Sequence, residues 1–314
     1  MPGAMGSVRM GSLAARICRT AICTTARTNR TQGALCRTFS QYENYSRTSK
    51  TYDSLRVAIA SDTFLDFLTR HARTINHPLQ LLDVGCGSGT YLNILGNKAP
   101  GGAIGLEFND GMLSKAMAKG LDVRKGSILD MPFMEQQFDV VTTTQVLHHL
   151  EDAENRHTQE FKALKVACAE VSRVLKPKGA WLISTQTPTQ HIDGFWWSVL
   201  VPESAKLLAK QFPPIDVLKD CLNAAGFNNV KTEIPSKPLV REDVYLDVTS
   251  PFRQDFRDAD STWALATPAE IDNGLEWLQD KIDAGEAETF LAEREALRSE
   301  VGQTTTVIAI KDDV

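Results

Sequence analysis

A short apolar segment that runs directly into a glycine-rich turn constrains the fold of this chain most strongly. Residues 79–84 are mostly apolar, residues 85–89 read GCGSG, and residues 91–95 have helical spacing. This order predicts a buried strand, a tight turn and a helix. Glycines at such a turn let backbone N–H groups and the helix N-terminus approach a ligand closely. The segment therefore favours a nucleotide-like ligand, although an ordinary tight turn or a dinucleotide loop has similar glycines.

Short apolar segments and helical segments alternate along the rest of the chain. The apolar segments are residues 103–106, 138–142, 180–184, 230–234 and 305–310, and the helical ones include residues 111–119, 161–175 and 215–225. Strands that alternate with helices are typical of parallel sheets, in which each connection crosses over through a helix. The sequence therefore predicts an α/β fold with a doubly wound, mostly parallel sheet.

The end of the sheet is interrupted by a long polar segment. Residues 240–303 are largely helical in pattern and contain two tryptophans, and only then does the last apolar strand follow, within residues 304–314. An insertion between two adjacent strands of a sheet lies over one edge of it, where ligands enter. We therefore expect a helical lid insertion before the last strand.

The first 39 residues have the composition of an organellar transit peptide. They contain six arginines among many Ser, Thr and Ala residues, with no Asp or Glu. This composition predicts import into the mitochondrion, with the plastid or an untargeted disordered tail as the alternatives. Removal of these six charges changes the formal net charge from −5 to −11. So acidic a chain is a poor partner for nucleic acid, because neutralising phosphates requires clustered Lys and Arg.

Composition also argues against metal and membrane classes. Beyond residue 39 the cysteines are Cys86, Cys168 and Cys221, whose spacing matches neither a metal site nor a disulfide framework. No segment approaches the roughly eighteen apolar residues of a membrane-spanning helix, so integral membrane association is not expected. The sequence pattern leaves the oligomeric state open.

Four ordered segments together identify a family. Glu107 stands at the end of the second strand, where an acidic side chain can accept hydrogen bonds from both hydroxyls of a ribose. The other three segments are residues 82–89 (LDVGCGSG), 126–133 (GSILDMPF) and 173–179 (RVLKPKG). With these four features the chain resembles the class I, seven-stranded S-adenosylmethionine-dependent methyltransferases of the small-molecule type. The resemblance covers roughly residues 79–235 and the final strand.

The resemblance implies the cofactor, its binding residues and a domain plan. The cofactor is expected to be S-adenosylmethionine, and the residues expected to bind it are Asp83, Gly85, Gly87, Gly89, Glu107, Ser127, Ile128 and Gln145. Ser127 departs from the family, which often has an acidic residue there to meet the adenine amino group. The expected domains are N-terminal cofactor-covering helices at 40–78, a methyltransferase core at 79–239, the lid insertion at 240–303 and the last core strand at 304–314.

Few side chains are expected to take part in the chemistry itself. Methyl transfer from a sulfonium is an in-line displacement, so positioning dominates, and a base is needed only where the acceptor must lose a proton. His148 and His149 follow the fourth strand and are candidate bases, with packing as the alternative. The candidate acceptor-binding residues are Trp196, Trp197, Arg253 and Arg257, for which core packing and surface ion pairs are the alternatives.

The sequence thus predicts a methyltransferase that acts on a small organic acceptor by in-line transfer. Three more specific alternatives stay open. One is S-methylation of a methylthio-hydroxy acid, as in algal dimethylsulfoniopropionate synthesis. Another is ring O- or C-methylation of a quinone-type precursor. The last is an organellar assembly factor that binds S-adenosylmethionine without catalysis.

Overall fold

The computed structural model describes residues 58–151 and 158–313, so the predicted transit peptide and residues 40–57 lie outside the described residues. The strands are β1 (Leu81–Val84), β2 (Ala103–Glu107), β3 (Val123–Lys125), β4 (Phe138–Thr144), β5 (Leu175–Thr185), β6 (Phe227–Glu233) and β7 (Thr305–Lys311). They form one seven-stranded sheet in the order β3-β2-β1-β4-β5-β7-β6. The first five strands are parallel, and β7 is antiparallel to both β5 and β6.

This topology confirms the predicted α/β fold with a mostly parallel sheet of seven strands. The strand that the apolar pattern did not predict is β3, which has only three residues, two of them exposed. A strand this short at the edge of a sheet carries too few buried side chains to produce a recognisable pattern. Its partner β2 supplies the backbone pairing that defines it.

The helices follow the predicted alternation. They are α1 (Ser61–His71), α2 (Thr90–Gly96), α3 (Asp110–Ala118), α4 (Lys162–Val174), α5 (Pro188–Asp193), α6 (Pro202–Ala209), α7 (Ile215–Ala224), α8 (Glu242–Tyr245), α9 (Gln254–Asp258), α10 (Ser261–Leu265), α11 (Pro268–Asp283) and α12 (Ala287–Val301). Short 3₁₀ helices cover Leu147–His149, Trp196–Val199 and Ser250–Phe252. No helix within the described ranges is long and apolar enough to cross a membrane.

The central strands are buried on both faces, which explains why they are apolar throughout. Leu82 and Val84 of β1 pack in one apolar cluster, whereas Leu81 packs in a second one. Alternate side chains of a strand point to opposite faces, so these two clusters lie on the two sides of the sheet. A parallel strand covered by helices on both faces must be apolar at successive positions.

An ion cluster around the buried Asp139 carboxylate lies near the start of β4. Asp139 Oδ1 lies 2.7 Å from His77 Nε2 and 3.0 Å from Lys176 Nζ, and its Oδ2 accepts a hydrogen bond of 2.8 Å from the Gln80 backbone N–H. Burial raises the pKa of the Asp139 carboxyl, but the hydrogen bonds from these groups outweigh burial and hold the pKa below its ordinary value.

A third apolar cluster joins the loop after β5 to the segment between β6 and β7. This lid cluster contains Trp196, Trp197, Tyr245, Phe256 and Trp263. Trp196 Nε1 donates a hydrogen bond of 2.7 Å to the Tyr245 carbonyl oxygen, and the rings of Trp197 and Phe256 meet edge to face with centroids 5.1 Å apart. Helices α8 to α12 lie within the predicted insertion 240–303 and pack on the loop through this cluster.

Candidate active site

The turn between β1 and α2 is built from glycines in the left-handed region. Gly85, Gly87 and Gly89 have φ of +69°, +56° and +85°. A Cβ on Gly85 would lie 2.4 Å from Val146 Cγ2, and one on Gly89 would lie 2.2 Å from Leu121 Cδ1. A Cβ on Gly87 would meet no described atom within 4 Å. Gly85 and Gly89 therefore permit close packing, whereas Gly87 faces open space.

Glu107 ties the end of β2 to this turn. Its Oε2 accepts a hydrogen bond of 2.8 Å from the Gly87 backbone N–H, and its Oε1 accepts one of 2.7 Å from the Asn109 N–H. Burial raises the pKa of the Glu107 carboxyl more than these backbone hydrogen bonds lower it. A carboxylate offers about four lone-pair positions, so each oxygen keeps capacity to accept a further hydroxyl.

Asp83 has one satisfied oxygen and one unsatisfied oxygen. Its Oδ1 accepts a hydrogen bond of 2.8 Å from Thr142 Oγ1, whereas its buried Oδ2 has no hydrogen-bond partner among the described residues. Burial raises the pKa of this carboxyl to about 7, with a smaller upward contribution from Glu107 that the Thr142 hydrogen bond opposes. An unsatisfied buried acceptor is rare and suits a cationic ligand group.

The turn opens into a cavity of about 320 Å³ at the carboxyl edge of the sheet. We call its two parts the glycine-turn side and the histidine side. The glycine-turn side comprises residues 84–88, 106–109 and 126–128. The histidine side includes His148, His149, Gln186, His191, Phe195 and Phe212. Gln145 lines the same cavity, as do Asp260 and Ser261 from the segment between β6 and β7.

Comparison with known proteins places this cavity in a family context. A family described as "Methyltransferase domain" matches residues 82–183. A demethylmenaquinone methyltransferase of Lactobacillus johnsonii is 31% identical over 176 residues, which cover 48% of this chain and 68% of that protein. The chain belongs to the class I S-adenosylmethionine-dependent methyltransferases. S-Adenosylmethionine is accordingly the cofactor of this methyltransferase.

One further relative agrees with this assignment, and one solved structure has a similar fold. A demethylmenaquinone methyltransferase of Staphylococcus carnosus is 27% identical to this methyltransferase over 216 residues, covering 60% of this chain and 85% of that one. The crystal structure of a putative methyltransferase from an antibiotic biosynthesis pathway of Anabaena variabilis superposes with a TM-score of 0.61 at 17% identity. That superposition covers 78% of this chain and 96% of the other, and it supports the fold alone.

The glycine-turn side fits the cofactor. The amino acid portion of S-adenosylmethionine carries an ammonium group, and the open face of Gly87 leaves room for its close approach. Asp83 directly precedes this side and is fully buried, so it does not itself line the cavity, but its unsatisfied Oδ2 suits such a group. Glu107 stands at the end of β2 with acceptor capacity for ribose hydroxyls. Ile128 is buried and lines the cavity, whereas the Ser127 hydroxyl accepts a hydrogen bond of 3.1 Å from the Leu129 N–H. The Ser127 hydroxyl therefore stabilises the turn that contains it. It stands at the position where the family often has an acidic residue.

Gln145 stands directly after β4 in a strained conformation. Its φ is +54°, which is unusual outside glycine, and its backbone N–H donates a hydrogen bond of 2.8 Å to the Ser184 carbonyl oxygen. Its side-chain Nε2 is buried and finds no hydrogen-bond partner within the described part of the chain. A buried unsatisfied donor in a cavity wall suits a polar ligand atom.

The structure brings both predicted candidate bases to the cavity. His148 and His149 lie in the 3₁₀ helix after β4, with ring centroids 3.8 Å apart. His148 also stacks on Phe212, with centroids 4.4 Å apart and an angle of 29° between the ring planes. Both histidines line the cavity, and their role in proton transfer stays a prediction.

The four predicted acceptor-binding residues do not line the cavity. Trp196 and Trp197 are almost completely buried in the lid cluster. Burial there removes their large apolar rings from water, so they pack in the core of the lid. Arg253 pairs with Asp255 at 3.3 Å, and Arg257 donates a hydrogen bond of 2.7 Å to Gln254 Oε1. Both arginines make contacts within the insertion. Neither of them lies with the other predicted site residues in the cavity.

Sequence reasoning missed three cavity residues on the histidine side. Gln186 directly follows β5, so its position at a strand end was a usable signal. His191 lies in the same loop region as the tryptophans and gives no separate local signal. Phe212 lies between α6 and α7 and reaches the cavity only through tertiary packing against His148 and His191.

Proposed function

We propose that this methyltransferase transfers a methyl group to the ring, at oxygen or carbon, of a quinone-type acceptor in its reduced, hydroxylated form. The observation that carries the proposal is a continuous stack of flat side chains on the histidine side of the cavity. Phe212 lies between His148, at 4.4 Å and 29°, and His191, at 5.2 Å and 25°. Flat rings pack favourably in offset or edge-to-face contact with other aromatic rings.

The polar groups of this wall suit ring hydroxyls. Imidazoles can donate or accept hydrogen bonds, and the cavity also contains the amide groups of Gln145 and Gln186. Mostly apolar walls with a few convergent polar groups are typical of small-molecule sites. The two curated relatives described above are both named for methylation of demethylmenaquinone, which supports an acceptor of the same chemical class.

The residues of this chain then have definite tasks. S-Adenosylmethionine supplies a methyl group activated by a positively charged sulfur. The wall formed by Phe212 and its stacked histidines holds the acceptor ring against the glycine-turn side, so that reacting atoms meet in near-attack geometry. A ring hydroxyl must lose its proton before its oxygen or the neighbouring carbon becomes strongly nucleophilic, and an imidazole near neutral pH is suited to take it.

The test is a transfer assay with two acceptors of different chemistry. The full chain is incubated with trideuteromethyl S-adenosylmethionine and either 1,4-dihydroxynaphthalene under reducing conditions or 2-hydroxy-4-(methylthio)butanoate. Mass spectrometry is expected to show a labelled naphthalene product, and carbon-13 NMR of that product distinguishes an O-methyl from a C-methyl group. Gly87→Arg is the negative control, because its side chain would occupy the open face of the cofactor turn.

Each other outcome selects a different function. A labelled thioether acid and no labelled naphthalene would replace the proposal with S-methylation. No product from either acceptor, together with tight binding of S-adenosylmethionine in calorimetry, would favour a non-catalytic assembly factor.

A further inference from the structure

His191 is a buried imidazole in the cavity wall, with one close contact at Nδ1 and one longer contact at Nε2. It lies on α5 and is only 4% exposed, although it lines the cavity. Its Nδ1 lies 3.0 Å from Gln186 Oε1, and its Nε2 lies 3.4 Å from Thr262 Oγ1. The first contact joins it to the end of β5, and the second joins it to the segment between β6 and β7.

These two contacts determine which nitrogen carries the proton. A side-chain amide oxygen can only accept, so the contact with Gln186 requires a hydrogen on Nδ1. In the neutral imidazole Nε2 then holds a lone pair, and the Thr262 hydroxyl is the donor to it. The 3.4 Å separation is well beyond the usual length of a hydrogen bond from a hydroxyl, so this contact is weak and can be exchanged for a better donor.

The backbone that carries His191 is fixed by several hydrogen bonds. Helix α5 begins with a capping box in which Thr187 and Gln190 satisfy each other's backbone N–H groups. Gln190 Nε2 also donates hydrogen bonds of 3.1 Å to the carbonyl oxygens of Val301 and Thr304. The Ser198 hydroxyl donates one of 3.0 Å to the His191 carbonyl oxygen. An imidazole on such a support is preorganised for contact with a ligand.

The hydroxyl that contacts Nε2 belongs to a residue next to the cavity lining. Thr262 is adjacent in sequence to Asp260 and Ser261, both of which line the cavity. Its backbone carbonyl oxygen accepts a hydrogen bond from Ser204 Oγ, which holds this end of α10 in place. An acceptor hydroxyl that binds Nε2 therefore has to displace the Thr262 hydroxyl, the group that the described contacts place there.

We propose that His191 is a catalytic residue whose Nε2 receives the acceptor hydroxyl in place of Thr262 and takes its proton. This inference rests on the proposed function, because it requires an acceptor with a ring hydroxyl. In the step, the O–H bond breaks, the proton becomes the Nε2–H of an imidazolium, and the electron pair stays on the acceptor oxygen. Gln186 holds the Nδ1–H throughout, and the imidazolium returns its proton to water after the product leaves.

Two substitutions of His191 separate binding from proton transfer. In His191→Gln the amide reaches the position of Nε2, so it can accept a hydrogen bond from a hydroxyl but cannot take the proton. In His191→Asn the amide reaches only the position of Nδ1, so both properties are lost. Thr262→Val is the matched control, since it removes the competing hydroxyl and leaves the imidazole in place.

The first readout is binding, which does not depend on turnover. Calorimetry on the full chain with S-adenosylhomocysteine compares 1-naphthol with 1-methylnaphthalene, which has a methyl group of similar size in place of the hydroxyl. We expect the wild type to prefer 1-naphthol by about tenfold, the scale of one hydrogen bond to a preorganised group. His191→Asn should abolish the preference, His191→Gln should retain most of it, and Thr262→Val should increase it by about twofold.

The second readout is turnover of 1,4-dihydroxynaphthalene. His191→Gln should lower kcat by about 10²-fold or more with little change in KM, because general base catalysis contributes on that scale. Nitrogen-15 NMR of labelled His191 should show the proton on Nδ1 in the wild type and a shift of the Nε2 resonance when 1-naphthol binds.

The proposal is overturned if His191→Asn keeps the hydroxyl preference, or if Thr262→Val loses it to the same extent as His191→Asn. The second result would mean that the imidazole only holds the Thr262 side chain in position and does not itself bind the acceptor hydroxyl. If the wild type binds neither naphthalene compound, the ring acceptor of the proposed function is excluded and the role of His191 falls with it. If 1-naphthol binds through His191 but 1,4-dihydroxynaphthalene is not methylated, only the proposed acceptor chemistry fails.

Discussion

Two buried aspartates on neighbouring parallel strands show how differently the two edges of this sheet are constructed. Asp83 on β1 and Asp139 on β4 are 0% and 2% exposed. Both oxygens of Asp139 accept hydrogen bonds, whereas Asp83 keeps one buried oxygen without a partner among the described residues. The pKa of Asp83 is raised and that of Asp139 is lowered. At the carboxyl ends of the strands, Asp83 therefore keeps an oxygen that can accept a hydrogen bond from a ligand. At the opposite ends, the oxygens of Asp139 are already satisfied by neighbouring protein groups.

The largest expected effect is on cofactor affinity. Asp83→Asn removes the charge that suits the ammonium group of S-adenosylmethionine, and we expect binding to weaken by about 10²-fold, as for a lost hydrogen bond between charged groups. Calorimetric titration with the cofactor at pH 8 measures it. Asp139→Asn is the matched control at the other edge, and an equal loss of affinity in both variants would contradict the comparison.

The second effect is on the free energy of unfolding. Here Asp139→Asn is expected to have the larger effect and Asp83→Asn the smaller one. Asp139→Asn should lower it by about 2 kcal/mol, because the charge that His77 and Lys176 face is lost while both partners are exposed enough to regain water. Asp83→Asn should leave it unchanged or raise it at pH 8, since it removes a buried charge. Urea denaturation of the chain without cofactor measures both variants, and the idea fails if Asp83→Asn is the more destabilising.

The third effect is a difference in pH dependence. The folded pKa of Asp83, about 7, lies above the unfolded value near 4, so its contribution to stability is present below pH 4 and is lost as the pH rises through 7. The folded pKa of Asp139 is lowered, so its contribution is lost only as the pH falls below the unfolded value. Between pH 5 and pH 8, wild type should therefore lose stability relative to Asp83→Asn and keep a constant difference from Asp139→Asn in urea denaturation.

The smallest effect isolates the hydrogen bond that the Asp83 carboxyl receives from a side chain. Thr142→Val removes the hydroxyl that donates to Oδ1 at 2.8 Å. We expect the Asp83 pKa to rise further, because the charged form loses a donor, and the unfolding free energy to fall by about 1 kcal/mol at pH 8. Carbon-13 NMR titration of the aspartate side chains follows the pKa, and a fall in the pKa would contradict a Thr142 hydroxyl that stabilises the charged form.

Local sequence was sufficient for the glycine-turn side of the cavity. Gly87 and Glu107 are recognisable because the strand, the turn and the next strand end form one continuous unit whose geometry depends on neighbouring residues. The same holds for the α/β fold, since each buried parallel strand must be apolar at successive positions. The three-residue β3 was the exception, because it buries too little to leave a pattern.

The histidine side required the tertiary structure. The segment after β5 contains His191, Trp196 and Trp197 within a few residues, and nothing in its composition tells which of them faces the cavity. Packing of helices α8 to α12 turns the two indoles into the lid cluster and leaves His191 in the wall. Sequence by itself determined the fold class, the family and the cofactor turn, because these depend on residues close together along the chain. Only the tertiary structure decided which rings meet the acceptor, since Phe212 and Thr262 reach His191 from distant segments whose positions depend on how whole helices bury their apolar faces.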